Sequence, residues 1–284
     1  MAPVIGIHGI AQQYKGPQSL RAEWERALLD GVAFAGGAIA EGSFACAFYG
    51  GLFRPDGDVR SGATPHFHPS DATKDEVDLL VAFFGEAARV EPDRVAEGDL
   101  RASTPKAVQG LLRQLAQTRF FAGLADHIMI GDLKQVTRYL GEPDVRTRAQ
   151  QSIDSVVTED TRVLVAHSLG SVVAYEALHT YGGNQRWKNV AALITLGSPL
   201  GIPNLIFDRL QPSPVDAKGK WPPGLKRWVN ISDDGDVVAL TKKLGPLFGA
   251  ELVDVRIHNG ATAHDVRPYL TARETGEAIL HGLA

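Results

Sequence analysis

The segment Ala166-His167-Ser168-Leu169-Gly170-Ser171 follows an apolar run and opens a second one with helical spacing. A serine at a sharp strand-to-helix turn is held in a strained backbone conformation, with its hydroxyl directed out of the sheet. The residues two before and two after it must be small, because neighbouring backbones approach closely there. Ala166 and Gly170 meet that need, with Ala standing where Gly is commoner. The helix that follows aims its first N–H groups at the site. A serine that merely caps a helix is the plain alternative, but strand, small flanking residues and helix together favour a nucleophile.

A serine hydroxyl needs a base, and the base needs an orienting carboxylate. On a strand–elbow–helix scaffold these follow in the order Ser, Asp or Glu, His, each after a later strand. The chain offers Asp233 and Asp236 after the run 228–231, and His258 and His264 after the run 253–257. Asp236 follows a Gly turn and precedes what reads as an apolar helix start, which makes it the first choice over Asp233. His264 lies in a loop just before a helix, whereas His258 sits at the strand end, where a structural role suffices.

Other residues carry weaker signals. His66, His68 and Asp71 are of metal-ligating type at close spacing, but Pro65 and Pro69 mark a loop, and no metal site is expected. Cys46 lies in a buried run and reads as a small apolar residue. Phe83, Phe84, Phe120, Phe121 and Trp221 read as core, some of them lining a pocket if the helical segment covers the site. Residues 197–203 would shape the leaving-group side of that pocket. Asp254 and Asp265 read as surface charges.

The 284 residues carry 29 Lys+Arg against 33 Asp+Glu, a net −4, and are 44% hydrophobic. That balance provides a full core and no cationic footprint for nucleic acid. The single cysteine excludes an internal disulfide and a thiolate zinc site. No apolar run approaches the ~18 residues of a membrane span, and residues 1–7 lack the basic start of a secretory signal. A cytoplasmic protein is the expectation.

Strand-like runs at 4–7, 44–49, 161–166, 190–196, 228–231 and 253–257 alternate with helical spacing at 19–34, 168–181 and 268–283, Ser19 being placed to cap the first helix. Residues 51–70 read as loop. From 71 to 157 only helical patterns occur, at 71–90, 105–121, 125–140 and 144–157. The expected class is α/β, with a mainly parallel central sheet of about six strands and helices on both faces. The core spans 1–50 and 158–284, and 51–157 forms a mostly helical cap over an apolar pocket.

The sequence resembles an α/β-hydrolase of the lipase/esterase type. The resemblance rests on Ile7-His8-Gly9, the 166–171 elbow, Thr195-Leu196-Gly197-Ser198-Pro199-Leu200, Gly235-Asp236-Val237-Val238 and Ala263-His264-Asp265, in that order along nearly the whole chain. It implies a sheet of the reduced kind, without two leading strands common in the family. It also implies an oxyanion hole formed by the N–H of Ile10 or Ala11 with that of Leu169, and His8, Gly9 and His167 beside the substrate. The expected activity is hydrolysis of a small acyl ester or thioester through an acyl-enzyme on Ser168, with Asp236 and His264 completing the triad and no cofactor. Acyl transfer or amide hydrolysis at the same serine, and a non-catalytic binding protein of this fold, are the alternatives.

Overall fold

A computed structural model of the protein describes residues 2–54, 67–93, 104–118, 126–260 and 263–284. Among them, six strands form one all-parallel sheet: β1 (Val4–Ile7), β2 (Phe44–Ala47), β3 (Val163–His167), β4 (Ala192–Leu196), β5 (Arg227–Asp233) and β6 (Val253–Ile257). The helices are α1 (Pro17–Phe34), α2 (Lys74–Val90), α3 (Pro105–Leu115), α4 (Asp126–Gly141), α5 (Pro143–Asp154), α6 (Leu169–Tyr181), α7 (Gly245–Phe248), α8 (Val266–Thr271) and α9 (Arg273–Leu283). No helix of the described residues is long and apolar enough to cross a membrane.

Successive side chains on a strand point to opposite faces, and here both faces are apolar. Ile5, Ile7, Leu164, Leu193 and Trp228 enter one hydrophobic cluster. Val4, Val163, Val165, Ile194 and Ile231 enter the other. Helices α1, α8 and α9 cover the second face, α1 through Leu20, Trp24 and Leu28. Helix α6 covers the first, and its residues from Leu169 to Leu178 are all buried because α5 packs over it through Val145, Ala149 and Ile153. Burial on both faces is why β1, β3 and β4 read as continuous apolar runs, whereas the edge strand β6 is part-exposed and carries Asp254 and Arg256.

The strand order β2-β1-β3-β4-β5-β6 places the site. From β1 the chain crosses outward to β2, and from β3 it crosses the other way to β4. The connections leaving β1 and β3 therefore diverge, opening a crevice beyond the carboxyl ends of these two strands. The register Ile7↔Ala166, His167↔Leu196, Leu196↔Ile231 and Asp233↔Ile257 brings those ends to one edge.

Several boundaries differ from the sequence reading. Helix α1 begins at Pro17 with Gly16 as its cap, so Ser19 lies inside the first turn and caps nothing; proline's fixed φ suits the first helical position. Helix α2 begins after Thr73, which exchanges capping hydrogen bonds with Glu76, while Asp71 closes a short turn at Pro69–Asp71. The closing helix is two helices, broken at Ala272 (φ −61°, ψ 135°). Asp265 is its N-cap and accepts from the Arg267 N–H, so it is not a plain surface charge. The apolar stretch after Asp236 is a loop rather than a helix start. In the 51–157 segment the described residues hold helices and short turns but no strand; α2, α3 and α4 pack on one another.

Candidate active site

Ser168 sits between β3 and α6 with φ 53° and ψ −129°. That conformation is costly for any residue with a Cβ, about 1–3 kcal/mol. The hydroxyl makes no capping bond to α6, so the serine is not there as a helix cap. The turn is held by main chain: the Ser168 N–H donates to Leu196 O (3.0 Å), and the Ser168 carbonyl accepts from the Ser171 N–H (2.9 Å) and the Ser171 hydroxyl (2.6 Å). A Cβ on Gly170 would lie 2.4 Å from the carbonyl oxygens of Ile7 and His8, which is why the position two after the serine must be bare. One on Gly9 would lie 2.7 Å from Ser168 Cβ, so the loop after β1 runs directly beside the serine.

His264 and Asp236 meet, although 28 positions separate them: Nδ1 lies 2.7 Å from Oδ2. Asp236 is fully buried, and its other oxygen accepts from the N–H groups of Val238 (2.9 Å) and Ala239 (3.2 Å). Tyr269, from α8, donates its hydroxyl to Oδ2 at 2.8 Å and accepts from the Asp233 N–H at 3.0 Å. Burial alone would raise the Asp236 carboxyl, yet His264, the Lys242 ammonium and the Tyr269 hydroxyl hold it down at about 2. Lys242 also donates to the Asp236 carbonyl oxygen and approaches Glu86 of α2 at 3.5 Å.

Asp233 has a different task. Its carboxylate accepts from the N–H groups of Gly235 and Asn259 and so folds the two loops that carry Asp236 and His264. His258 is exposed, with Nδ1 3.7 Å from Asp233. Asp254, read as a surface charge, accepts from Asn230 Nδ2 and from the N–H groups of Leu244 and Gly245, anchoring the far end of the Asp236 loop.

Two further histidines, His8 and His167, are held neutral. The Tyr49 N–H donates to His8 Nε2 (3.1 Å), which fixes the tautomer in which Nδ1–H donates to the Gly9 carbonyl (2.7 Å). His8 stacks on Tyr49 with ring centroids 4.1 Å apart, and burial lowers its pKa to about 4. His167 donates from Nε2 to the His264 carbonyl at 2.9 Å, its ring 4.6 Å from that of His264. Burial and the neighbouring His264 lower it to about 3.

In the loop after β1, Ala11 has φ 63°, and its N–H donates to Gln135 Oε1 of α4 at 3.3 Å. Of the two amides expected there, the Ala11 amide is thus engaged by a side chain from the helical segment.

Of the nine residues expected to form the triad, the oxyanion hole and the substrate contacts, all but the buried Asp236 line one cavity of about 810 Å³: His8, Gly9, Ile10, Ala11, His167, Ser168, Leu169 and His264. Leu80, Phe83, Met129, Leu133 and Val136 form the wall opposite the strand ends, and Pro199 and Ile206 contribute from the segment after β4. Phe84 is core and Trp221 packs on Trp228; Phe120, Phe121 and His66 lie outside the described residues. Burial pushes the Cys46 thiol up to about 12, which leaves it protonated and inert. Among the described residues no group of three or more His, Cys, Asp or Glu side chains could hold a metal ion.

Sequence reasoning missed Tyr269 and Lys242, and it placed Gly197 on the leaving-group side of the pocket rather than against Asp236 and His264. Gly197 has φ 53°, and a Cβ there would lie 2.6 Å from Asp236 Oδ2 and 3.1 Å from His264 Nδ1. The Gly197-Ser198-Pro199 motif was the available signal; Tyr269 and Lys242 left none. No family model matches the chain, and no curated protein matches it.

Proposed function

We propose that the protein is a serine hydrolase of the α/β-hydrolase kind, cleaving a carboxylic ester or thioester through an acyl-enzyme on Ser168. The observation that carries this reading is the left-handed Ser168 at a strand-to-helix turn, in one cavity with a histidine that is bonded to a buried, ionised aspartate. With Nδ1–H donated to Asp236, the basic nitrogen of His264 is Nε2. Nε2 takes the Ser168 proton as Oγ attacks the acyl carbonyl, and then passes it to the leaving alcohol or thiol. Water, deprotonated by the same nitrogen, releases the acid and restores the serine. Asp236 holds the imidazole in its tautomer and balances the imidazolium that forms.

The N–H of Leu169, first in α6, and that of Ile10 are the oxyanion donors we assign, since the Ala11 amide is already bonded to Gln135. One such donor is worth about 2.7–4 kcal/mol of barrier. The helices opposite the strand ends supply an apolar enclosure for the acyl or alkyl group.

Two measurements test the reading. A fluorophosphonate probe is expected to label Ser168 in the folded protein. Ser168→Ala is expected to lower turnover of p-nitrophenyl and thioester substrates on the order of 10⁴-fold or more. A folded protein that neither labels nor turns over any ester or thioester of graded chain length overturns the proposal.

A further inference from the structure

Helix α4 turns Met129, Asp132, Leu133 and Val136 toward the cavity. Spacings of three, four and seven place them on one helix face, and that face is apolar except for one carboxyl group. Among the described residues Asp132 has one hydrogen bond, from Gln135 Nε2 to Oδ1 at 3.3 Å. Burial pushes its carboxyl up to about 7.

The charged groups around the cavity leave this acid over. Lys15, Glu23, Asp132, Asp265 and Arg267 line it. Lys15 is paired with Glu23 at 2.5 Å and Arg267 with Asp265 at 2.6 Å. Lys134, the lysine of α4 itself, turns to Glu76 of α2 at 3.0 Å. His8 and His167 are neutral, and His264 is bonded to Asp236. Two cations are matched by two acids, and the third acid stands in an apolar wall with no cation against it among the described residues. A half-buried carboxylate in such an apolar setting is stabilised by a ligand that brings its own positive charge.

We infer that Asp132 makes this a site for cationic substrates, namely esters or thioesters bearing a quaternary or protonated amine on the group that lies against α4. The inference rests on the hydrolase reading for the words ester and thioester, but the charge preference itself is a property of binding. Gln135 links the two halves of the site, since its amide NH₂ donates to Asp132 and its oxygen accepts from Ala11 in the oxyanion loop. A cation that keeps Asp132 ionised would also keep that amide oriented.

The test is calorimetric titration of the Ser168→Ala protein with two isosteric pairs. One pair is 2-(trimethylammonio)ethyl thioacetate and 3,3-dimethylbutyl thioacetate, which differ by a charge on the leaving group. The other is p-nitrophenyl 4-(trimethylammonio)butanoate and p-nitrophenyl 5,5-dimethylhexanoate, which differ by a charge on the acyl group. In at least one pair the cation is expected to bind about tenfold more tightly or better, the scale of one charge pair in a partly screened site. That preference should collapse when Asp132→Asn is added and persist with Asp132→Glu. Equal or weaker binding of both cations, or a preference that survives Asp132→Asn, overturns the inference. If the wild-type protein neither labels with a fluorophosphonate nor hydrolyses these four or any ester or thioester of graded chain length while the preference holds, the hydrolase reading falls and the charge-reading role of Asp132 stands.

Discussion

The sheet side of the cavity and the helical side opposite are built by different means. On the sheet side main chain fixes several of the polar groups. The Ser168 N–H is bonded to Leu196, the Asp236 carboxylate takes two backbone N–H groups, and His167 grips the carbonyl of His264. On the helical side Leu80, Phe83, Met129 and Leu133 face the cavity with side chains placed by packing alone. Backbone ties fix atoms to fractions of an ångström, which proton transfer needs. Packing fixes volume, which decides what fits. Changes on the first side should therefore move rate, and changes on the second should move selectivity.

The largest effect beyond the serine itself is expected from Asp236→Asn. It keeps the size of the side chain but destroys the charge and misassigns the imidazole tautomer. Under the proposed mechanism kcat falls by about 10³–10⁴, with KM little changed; a loss under tenfold would separate Asp236 from the chemistry. Gly197→Ala comes next. The new methyl would crowd Asp236 and His264 at a backbone angle that favours glycine, so a kcat loss of about 10²-fold is expected, together with a lower Tm. An alanine variant with full activity would mean that the pair tolerates displacement.

On the opposite wall, Leu133→Ala should leave its mark on the ratio of kcat/KM for octanoyl over acetyl esters, by about tenfold. A uniform loss across chain lengths would erase the contrast between the two sides. The smallest effect is one of stability. His8 and His167 are neutral in the fold far below the ordinary 6.5, reaching about 4 and about 3. The unfolded chain therefore takes up protons below 6.5 that the native protein refuses, so stability declines as pH falls from 6.5 toward 4. Each ring contributes up to about 1.4 kcal/mol per pH unit. Urea midpoints at pH 6.5 and 4.5 measure the slope, and His8→Asn should flatten it by about one proton.

The contrast between the two sides also explains what the sequence made readable. Strands buried on both faces announce themselves as β-branched runs, and a turn that demands small residues at 166 and 170 leaves its mark within six positions. Asp236 is preferred to Asp233 on its Gly turn and on a helix start that is in fact a loop, and His264 to His258 on the helix that follows it. The contacts that separate each pair span 25 to 36 positions and needed the fold. The bond from Gln135 to Ala11 spans 124, and no local pattern records it. Helix ends misread as starting at 19 and 268 were decided by Pro17 and Asp265, local signals overshadowed by the apolar periodicity nearby. Asp254 reads as a surface charge because its partners, the Asn230 side chain and two backbone amides of the 244–245 segment, are distant in sequence.

Tyr269 has one oxygen and a single proton to give. The amide of Asp233 occupies its lone-pair side, so the O–H vector has one direction left, toward Asp236. The hydroxyl thus behaves as a fixed dipole rather than a rotor. It shares Asp236 Oδ2 with His264 Nδ1 and spreads the carboxylate's charge onto α8, so the last turn before the Ala272 break becomes an electrostatic part of that carboxylate's setting.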